Sequence, residues 1–142
     1  MYNKDNNSNH YYLGGRNDMR DTVQKREILT FLRSRRHHYS AVQVYDAVRE
    51  KLPNISLGTV YRNLGHLLED GEIISVETSD KCVYYDGFVQ DHAHFVCGGC
   101  KEIYDFPIKN EVSKDIIDAG FSVESQKIVY YGKCKNCRNA KI

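Results

Sequence analysis

The sequence predicts an α+β chain of two small domains, the first of three helices closed by a β-hairpin, the second a compact mixed unit stapled by metal. Three observations lead there. Apolar residues recur at helical spacing in three successive segments of the first half, and two β-prone runs follow them. Two Cys-x-x-Cys pairs, Cys97/Cys100 and Cys134/Cys137, bracket the second half. Charge is also uneven in a chain of 142 residues with a net charge of only +1. Residues 20–66 hold nine Lys or Arg against four Asp or Glu, whereas 67–86 hold six acidic residues and one lysine. Such a basic block is either an electrostatic footprint for a phosphate backbone or a solvated helix face.

The length suits one ordinary domain or two small ones. There is no apolar run of 18 residues, so nothing is expected to span a membrane. Met1 to Asn9 is Asn-rich without an apolar core, unlike a signal peptide, and a cytoplasmic protein is expected. Five cysteines in such a chain point to metal binding or redox work rather than to structural disulfides.

Residues 1–17 read as a polar tail with a short helix around Tyr11 to Leu13. A helix is predicted from Thr22, its N-cap, to about Arg35, with Val23, Ile28, Leu29 and Leu32 on one stripe. Ser40 and Gln43 form a capping box for a second helix, whose Val44, Tyr45, Val48 and Leu52 recur at helical spacing until Pro53 ends it. Ser56 caps a third helix, with Val60, Leu64, Leu67 and Leu68 as its apolar stripe and Gly71 as its stop. Two strands follow, 72–77 and 81–85, around a Thr78-Ser79-Asp80 turn. Helix, helix, helix and hairpin in this order match a helix-turn-helix with a wing, a winged-helix DNA-binding domain over 18–86. The third helix would be the recognition helix, with Thr59, Tyr61, Arg62 and Asn63 near its N-terminal end. Arg33, Arg35 and Arg36 close the first helix, where cations suit the helix end or contact DNA.

Residues 87–91 read as a hinge and 92–142 as the second domain. There a strand (94–97), a Gly98-Gly99 knuckle, a strand (101–106), a helix (about 111–119) stopped by Gly120, and a strand (121–131) are expected. A unit this small needs a metal staple, a partner chain, or both. Tyr130 and Tyr131 would serve its core or a dimer interface, and Cys82, on the wing, would be a small packing residue.

Four thiolates in two Cys-x-x-Cys pairs suit tetrahedral zinc, and a closed four-cysteine site is structural. The 33 residues between the pairs mean that the site would clip the end of the domain to its start. A redox dithiol and a disulfide pair are the alternatives. A second constellation gathers around His92 and His94, which point to one side of an extended segment. With Asp86, Asp105 and His38 they offer nitrogen and oxygen ligands, suited to Fe(II), Mn(II) or zinc; the alternative is a solvated histidine pair. The His-x-Glu…Pro-Cys-x-x-Cys deaminase signature is absent and no carboxylate stands beside an open zinc, so no enzyme is expected.

The motifs Thr22-Val-Gln24, Ser56-Leu-Gly-Thr59-Val60-Tyr61-Arg62-Asn63-Leu64, Asp91-His92-Ala-His94-Phe95-Val96-Cys97 and Tyr130-Tyr131-Gly132-Lys-Cys134 resemble those of the ferric uptake regulator (Fur) family, over about Arg20 to Cys137. The resemblance implies a homodimeric repressor that binds an inverted-repeat operator in double-stranded DNA when loaded with a regulatory metal. It implies structural Zn(II) on Cys97, Cys100, Cys134 and Cys137, and regulatory Fe(II) or Mn(II) on His38, Asp86, His92, His94 and Asp105. His37 neighbours His38, which falls on the family position. The DNA-contacting set expected is Lys25, Arg26, Ser56, Thr59, Tyr61, Arg62 and Asn63, with Lys25 standing where the family more often has Arg. Iron-sensing members usually carry Glu at the position of Asp105, and often a histidine at that of Gln126. Both departures resemble the peroxide-sensing branch, PerR, in which oxidation of ligand imidazoles, here His38 or His92, releases the metal and ends repression. A repressor sensing iron, zinc or manganese availability is the alternative.

Overall fold

The computed structural model describes residues 17–109 and 112–140, so the expected tail helix at Tyr11 to Leu13 lies outside the described residues. Helices α1 (Asn17–Arg33), α2 (Ala41–Val48) and α3 (Leu57–Glu69) pack around one core. Ile28 and Leu32 of α1, Val44 and Val48 of α2, and Val60, Leu64 and Leu67 of α3 meet there with Ile55 and Ile73. Among the described residues no helix is long and apolar enough to cross a membrane.

Two helix starts match their sequence signals and one does not. Ser40 Oγ accepts from Gln43 N at 3.2 Å and Gln43 Oε1 from Ser40 N at 2.9 Å, the reciprocal pair of a capping box. Ser56 Oγ accepts from Thr59 N at 3.1 Å. Thr22, by contrast, lies inside α1, which begins at Asn17. Val23 of the expected stripe is exposed, and Gln24 is buried beside it.

The helix ends differ as well. α1 stops at Arg33, not Arg35. α2 ends at Val48, before Pro53 is reached, and the chain continues through a turn in which Lys51 N and Leu52 N both donate to Val48 O. Leu52 still packs on the core from that turn. α3 ends as its glycine requires. Gly71, at φ 70°, donates to Leu68 O while Glu72 N donates to Leu67 O, closing the two orphan carbonyls with a left-handed residue. Leu64 is fully buried where all three helices meet. Leu64→Ala is expected to cost about 2–5 kcal/mol, read as a lower denaturation midpoint at an unchanged slope.

The wing is an antiparallel pair, β1 (Ile74–Glu77) and β2 (Val83–Asp86), with Ile74 opposite Asp86. Lys81 takes the left-handed position in its turn. The chain before α2 joins this hairpin: Tyr39 and Tyr85 exchange backbone hydrogen bonds of 3.1 and 2.8 Å. That bridge sets His38 beside Asp86.

Residues 87–91 lead without regular structure to a second sheet. β3 (His92–Cys97) is its middle strand, antiparallel to β4 (Ile103–Pro107) and parallel to β5 (Val129–Gly132). The strand expected from Phe121 is thus confined to its end. Its pairing with β3 runs from His94 opposite Val129 to Cys97 opposite Gly132, with His94 N also donating to Ile128 O at 3.0 Å. α4 (Lys114–Asp118) starts later than expected and ends at Asp118, with Gly120 at φ 84° just beyond its C-cap Ala119. α5 (Lys135–Asn139), unforeseen, follows Cys134 and holds Cys137.

Candidate metal centres

Five side chains from three strands and the segment before α2 converge at one point. His38 precedes α2, Asp86 ends β2, His92 and His94 lie on β3, and Asp105 lies on β4 opposite His94 in the strand register. One ligand atom from each lies within 4.8 Å of all the others. His38 Nε2 stands 3.0 Å from Asp105 Oδ1 and 3.3 Å from Asp86 Oδ2. His92 Nε2 is 3.1 Å from Asp86 Oδ2, and His94 Nε2 is 3.5 Å from it. Donors bound to one ion at about 2.0–2.2 Å stand about 3 Å apart at its corners, and these separations match.

Two details fit a cation-binding role for this cluster. His38 Nε2 is buried and, despite its carboxylate neighbours, has no directed hydrogen bond. A buried polar atom so placed is costly unless it has another partner. His92 and His94 turn their Nε2 atoms toward each other at 2.9 Å. His92 Nδ1 lies 2.6 Å from Gln90 O, the contact that fixes a tautomer and leaves Nε2 with its lone pair free. Asp86 is buried, which opposes ionisation. The His38 and His94 imidazoles and the Phe88 N–H outweigh that and hold its carboxyl well below the usual carboxylate range. The sequence-derived set of His38, Asp86, His92, His94 and Asp105 is therefore gathered at one point. A cavity of about 280 Å³ opens on His92 and His94 and is bordered by Gln126, Asp91 and Val89.

The four remaining thiols of interest form the second centre. Cys97, Cys100, Cys134 and Cys137 lie within the same ligand distance of one another and none is in a disulfide. Cys100 Sγ and Cys134 Sγ are 3.9 Å apart. Sulfurs held at about 2.3 Å around a tetrahedral zinc are separated by about 3.8 Å. Backbone N–H groups, first that of Cys134, then those of Cys100 and Gly99, lower the Cys97 thiol to about 6. The neighbouring Cys97 and Cys134 sulfurs push Cys137 up to about 12. One thiolate is thus prepared while the crowd of sulfurs resists further ionisation, which a divalent cation would relieve.

The knuckle works differently from the sequence expectation. Lys101, not a glycine, takes the left-handed position at φ 65° and donates to Cys97 O. Gly99 is needed for space, since a Cβ there would lie 2.8 Å from Cys137 Sγ. Gly98 has only ordinary contact. Tyr104 was missed: hydrogen bonding to the Cys134 sulfur raises its hydroxyl well above the usual phenol range. Only the position of β4 beside the second Cys pair, which the sequence does not give, would have found it.

The ferric uptake regulator family model matches residues 16–131. The chain belongs to the ferric uptake regulator family. The peroxide operon regulator of Bacillus subtilis is 34% identical over 122 residues, covering 84% of each chain. The peroxide-responsive repressor PerR of Staphylococcus saprophyticus is 32% identical over 128 residues, covering 87% of this chain and 85% of that one. Among solved structures, the Campylobacter jejuni peroxide stress regulator superposes with a TM-score of 0.74 at 26% identity, over 87% of this chain and 95% of that one.

In this Fur-family chain, the residues expected to contact DNA divide. Arg26, Ser56, Tyr61 and Arg62 are exposed, and Thr59 is partly so at the start of α3. Lys25 pairs with Asp70 at the C-cap of α3. Asn63 corrects the expectation: it is 2% exposed, and its Nδ2 donates to Thr59 O at 2.9 Å. Its amide is spent on the Thr59 carbonyl one turn back in the same helix and does not face outward. The stripe that sets the face is one residue wider than the apolar pattern suggested, because Asn63 sits between buried Val60 and Leu64.

Proposed function

We propose that this protein is a metal-dependent DNA-binding transcriptional repressor of the peroxide-sensing kind, acting as a cytoplasmic homodimer and not as an enzyme. One observation above all supports it: the five-ligand cluster takes His38 and Asp86 from the helical half and its hairpin, and His92, His94 and Asp105 from the second sheet. An ion held there would fix the two halves relative to one another. In a dimer, that angle sets the spacing of the two α3 helices across an inverted repeat.

The working division is a DNA-binding domain over 18–86, a hinge at 87–91 and a dimerisation and metal-binding domain over 92–142. Exposed Phe106, Ile117, Phe121 and Tyr130 of the second half provide apolar surface for a second copy. The four cysteines suit structural Zn(II), and the five-ligand cluster suits regulatory Fe(II) or Mn(II). Bound iron would supply the chemistry by which peroxide adds one oxygen atom to a neighbouring ligand, the imidazole of His38 or His92, and leaves as water. An oxidised imidazole is a poorer ligand, so the two halves lose their tie. Lys25, Arg26, Ser56, Thr59, Tyr61 and Arg62 are the residues placed to meet DNA; for Lys25 this requires release from Asp70. The relatives named for peroxide response support the choice of signal.

Operator DNA binding by anaerobic Fe(II)-loaded protein should be lost after low-micromolar hydrogen peroxide, whereas Mn(II)-loaded protein should keep it. Peptide mass spectrometry should then find one added oxygen on His38 or His92. If binding survives peroxide with both metals, the protein senses iron, zinc or manganese availability instead.

A further inference from the structure

Arg33, the last residue of α1, bridges two segments far apart in sequence. Its Nη2 donates to Glu72 Oε2 at 2.7 Å and to the Glu72 carbonyl at 3.0 Å. Its Nε donates to the Gly87 carbonyl at 3.4 Å. Both acceptors sit at informative places. Glu72 is the residue whose N–H closes the end of α3 on Leu67. Gly87 directly follows Asp86, whose Oδ1 accepts from Phe88 N at 2.8 Å while Oδ2 faces His38, His92 and His94.

The packing leaves this junction no slack. A Cβ on Gly87 would lie 2.7 Å from both the carbonyl carbon and oxygen of Leu32, and 3.0 Å from Arg33 Cγ. Arg36 sits over the Phe88 ring, 4.8 Å from its centroid. The end of α1 and the bend after it therefore grip residues 87 and 88 from two sides, and the same Arg33 guanidinium holds the end of α3.

We propose that Arg33 is a positioning residue that couples the five-ligand cluster to the recognition helix. It fixes the hinge carbonyl next to Asp86 against the C-terminal end of α3. The backbone arrangement in which Asp86 completes the cluster is then the one that sets how α3 is presented to DNA. This rests on the metal-dependent repressor reading. A planar guanidinium serves a carboxylate and two carbonyls at once, which a lysine ammonium does not reproduce. An exposed ion pair such as Arg33–Glu72 adds little to stability, so the effect belongs to coupling and not to folding. A phosphate contact, the other role for a basic residue here, gives a different result in the same experiment.

The experiment measures operator affinity of the full-length, zinc-replete protein with and without Mn(II), over a salt series, for the native chain, Arg33→Lys, Arg33→Ala and Glu72→Gln. The ratio of the two affinities should fall at least roughly fivefold in Arg33→Ala. It should fall part-way in Arg33→Lys and Glu72→Gln, with metal-free affinity and salt slope unchanged. A phosphate contact would weaken binding equally with and without Mn(II) and lower the salt slope by about one. That result, or an unaltered ratio beside a metal-responsive native protein, overturns the coupling role of Arg33. A native protein with no response to Mn(II) overturns the repressor reading itself, and the inference with it. Glu72→Gln, a surface change, keeps the question decidable should Arg33→Ala fail to fold.

Discussion

A Cys97→Ser chain is expected to lose its zinc and, with it, the fold of the second half. The reason is how little else holds that half together. Its buried residues, among those described, are Ala93, His94, Val96, Cys97 and Cys134, whereas Phe106, Ile117, Phe121 and Tyr130 face outward. Two small apolar side chains and two thiols do not make a core that offsets the entropy of ordering such a unit. Structural zinc contributes about 10–16 kcal/mol of apparent binding free energy at neutral pH. Whole domains are stable by only about 5–15 kcal/mol. Removing one thiolate therefore outweighs everything else in this sheet. Zinc content by elemental analysis and amide hydrogen exchange over residues 92–140 would check it. Stoichiometric zinc and native protection in Cys97→Ser would sink the structural role of the four-cysteine centre.

The same centre sets a pH dependence with a definite sign. Cys97, lowered to about 6, is already a thiolate at neutral pH. Cys137, pushed up to about 12, keeps its proton until a cation displaces it. Binding zinc therefore releases protons, and the apparent affinity rises as the pH rises. A chelator competition should be harder to win at pH 8 than at pH 6.

How far the sequence showed this arrangement depends on whether a feature is local. Capping at Ser40 and Ser56 and the glycine stop at Gly71 involve residues within a few positions of one another, so pattern alone locates them. The cysteine pairs are legible for the same reason. Features that need two distant segments were not legible. Nothing in the chain announces that Tyr39 bridges to Tyr85, yet that bridge brings His38 to Asp86. The register that puts Asp105 opposite His94 is likewise a property of the β3–β4 pairing. Spacing alone singles out only His92 and His94; His38, Asp86 and Asp105 join them by residue type, and the family resemblance is what matches each of the three to a ligand position. Asn63 departs for another reason: its polarity and its place near the start of the third helix suggest an outward residue, but its backbone position lies on the buried side.

Asp86→Asn is expected to abolish the metal response of DNA binding while leaving zinc in place. Asp86 is the most buried acid of the five-ligand cluster, 2% exposed, whereas the Asp105 side chain is 25% exposed. Its Oδ2 faces all three imidazoles, as Asp105 Oδ1 also does, but from the buried side of the cluster, where solvent screens its charge less. An asparagine preserves the volume and can still accept from Phe88 N, so the 86–88 turn and the wing should survive. The carboxylate charge would be gone, and an amide is a weak ligand beside three neutral imidazoles. Even loss of an outer partner to a metal ligand costs about 10–100-fold in affinity. Loss of a ligand charge should therefore weaken regulatory metal binding by at least on the order of 100-fold. Titration with Mn(II), followed by operator binding and by zinc analysis on the same sample, separates the two centres. Asp105→Asn, at the more exposed position, should show the same direction with a smaller loss. Unchanged Mn(II) affinity in Asp86→Asn would place the regulatory ion elsewhere, and the link from Gly87 through Arg33 to α3 would then have no metal ligand at its origin.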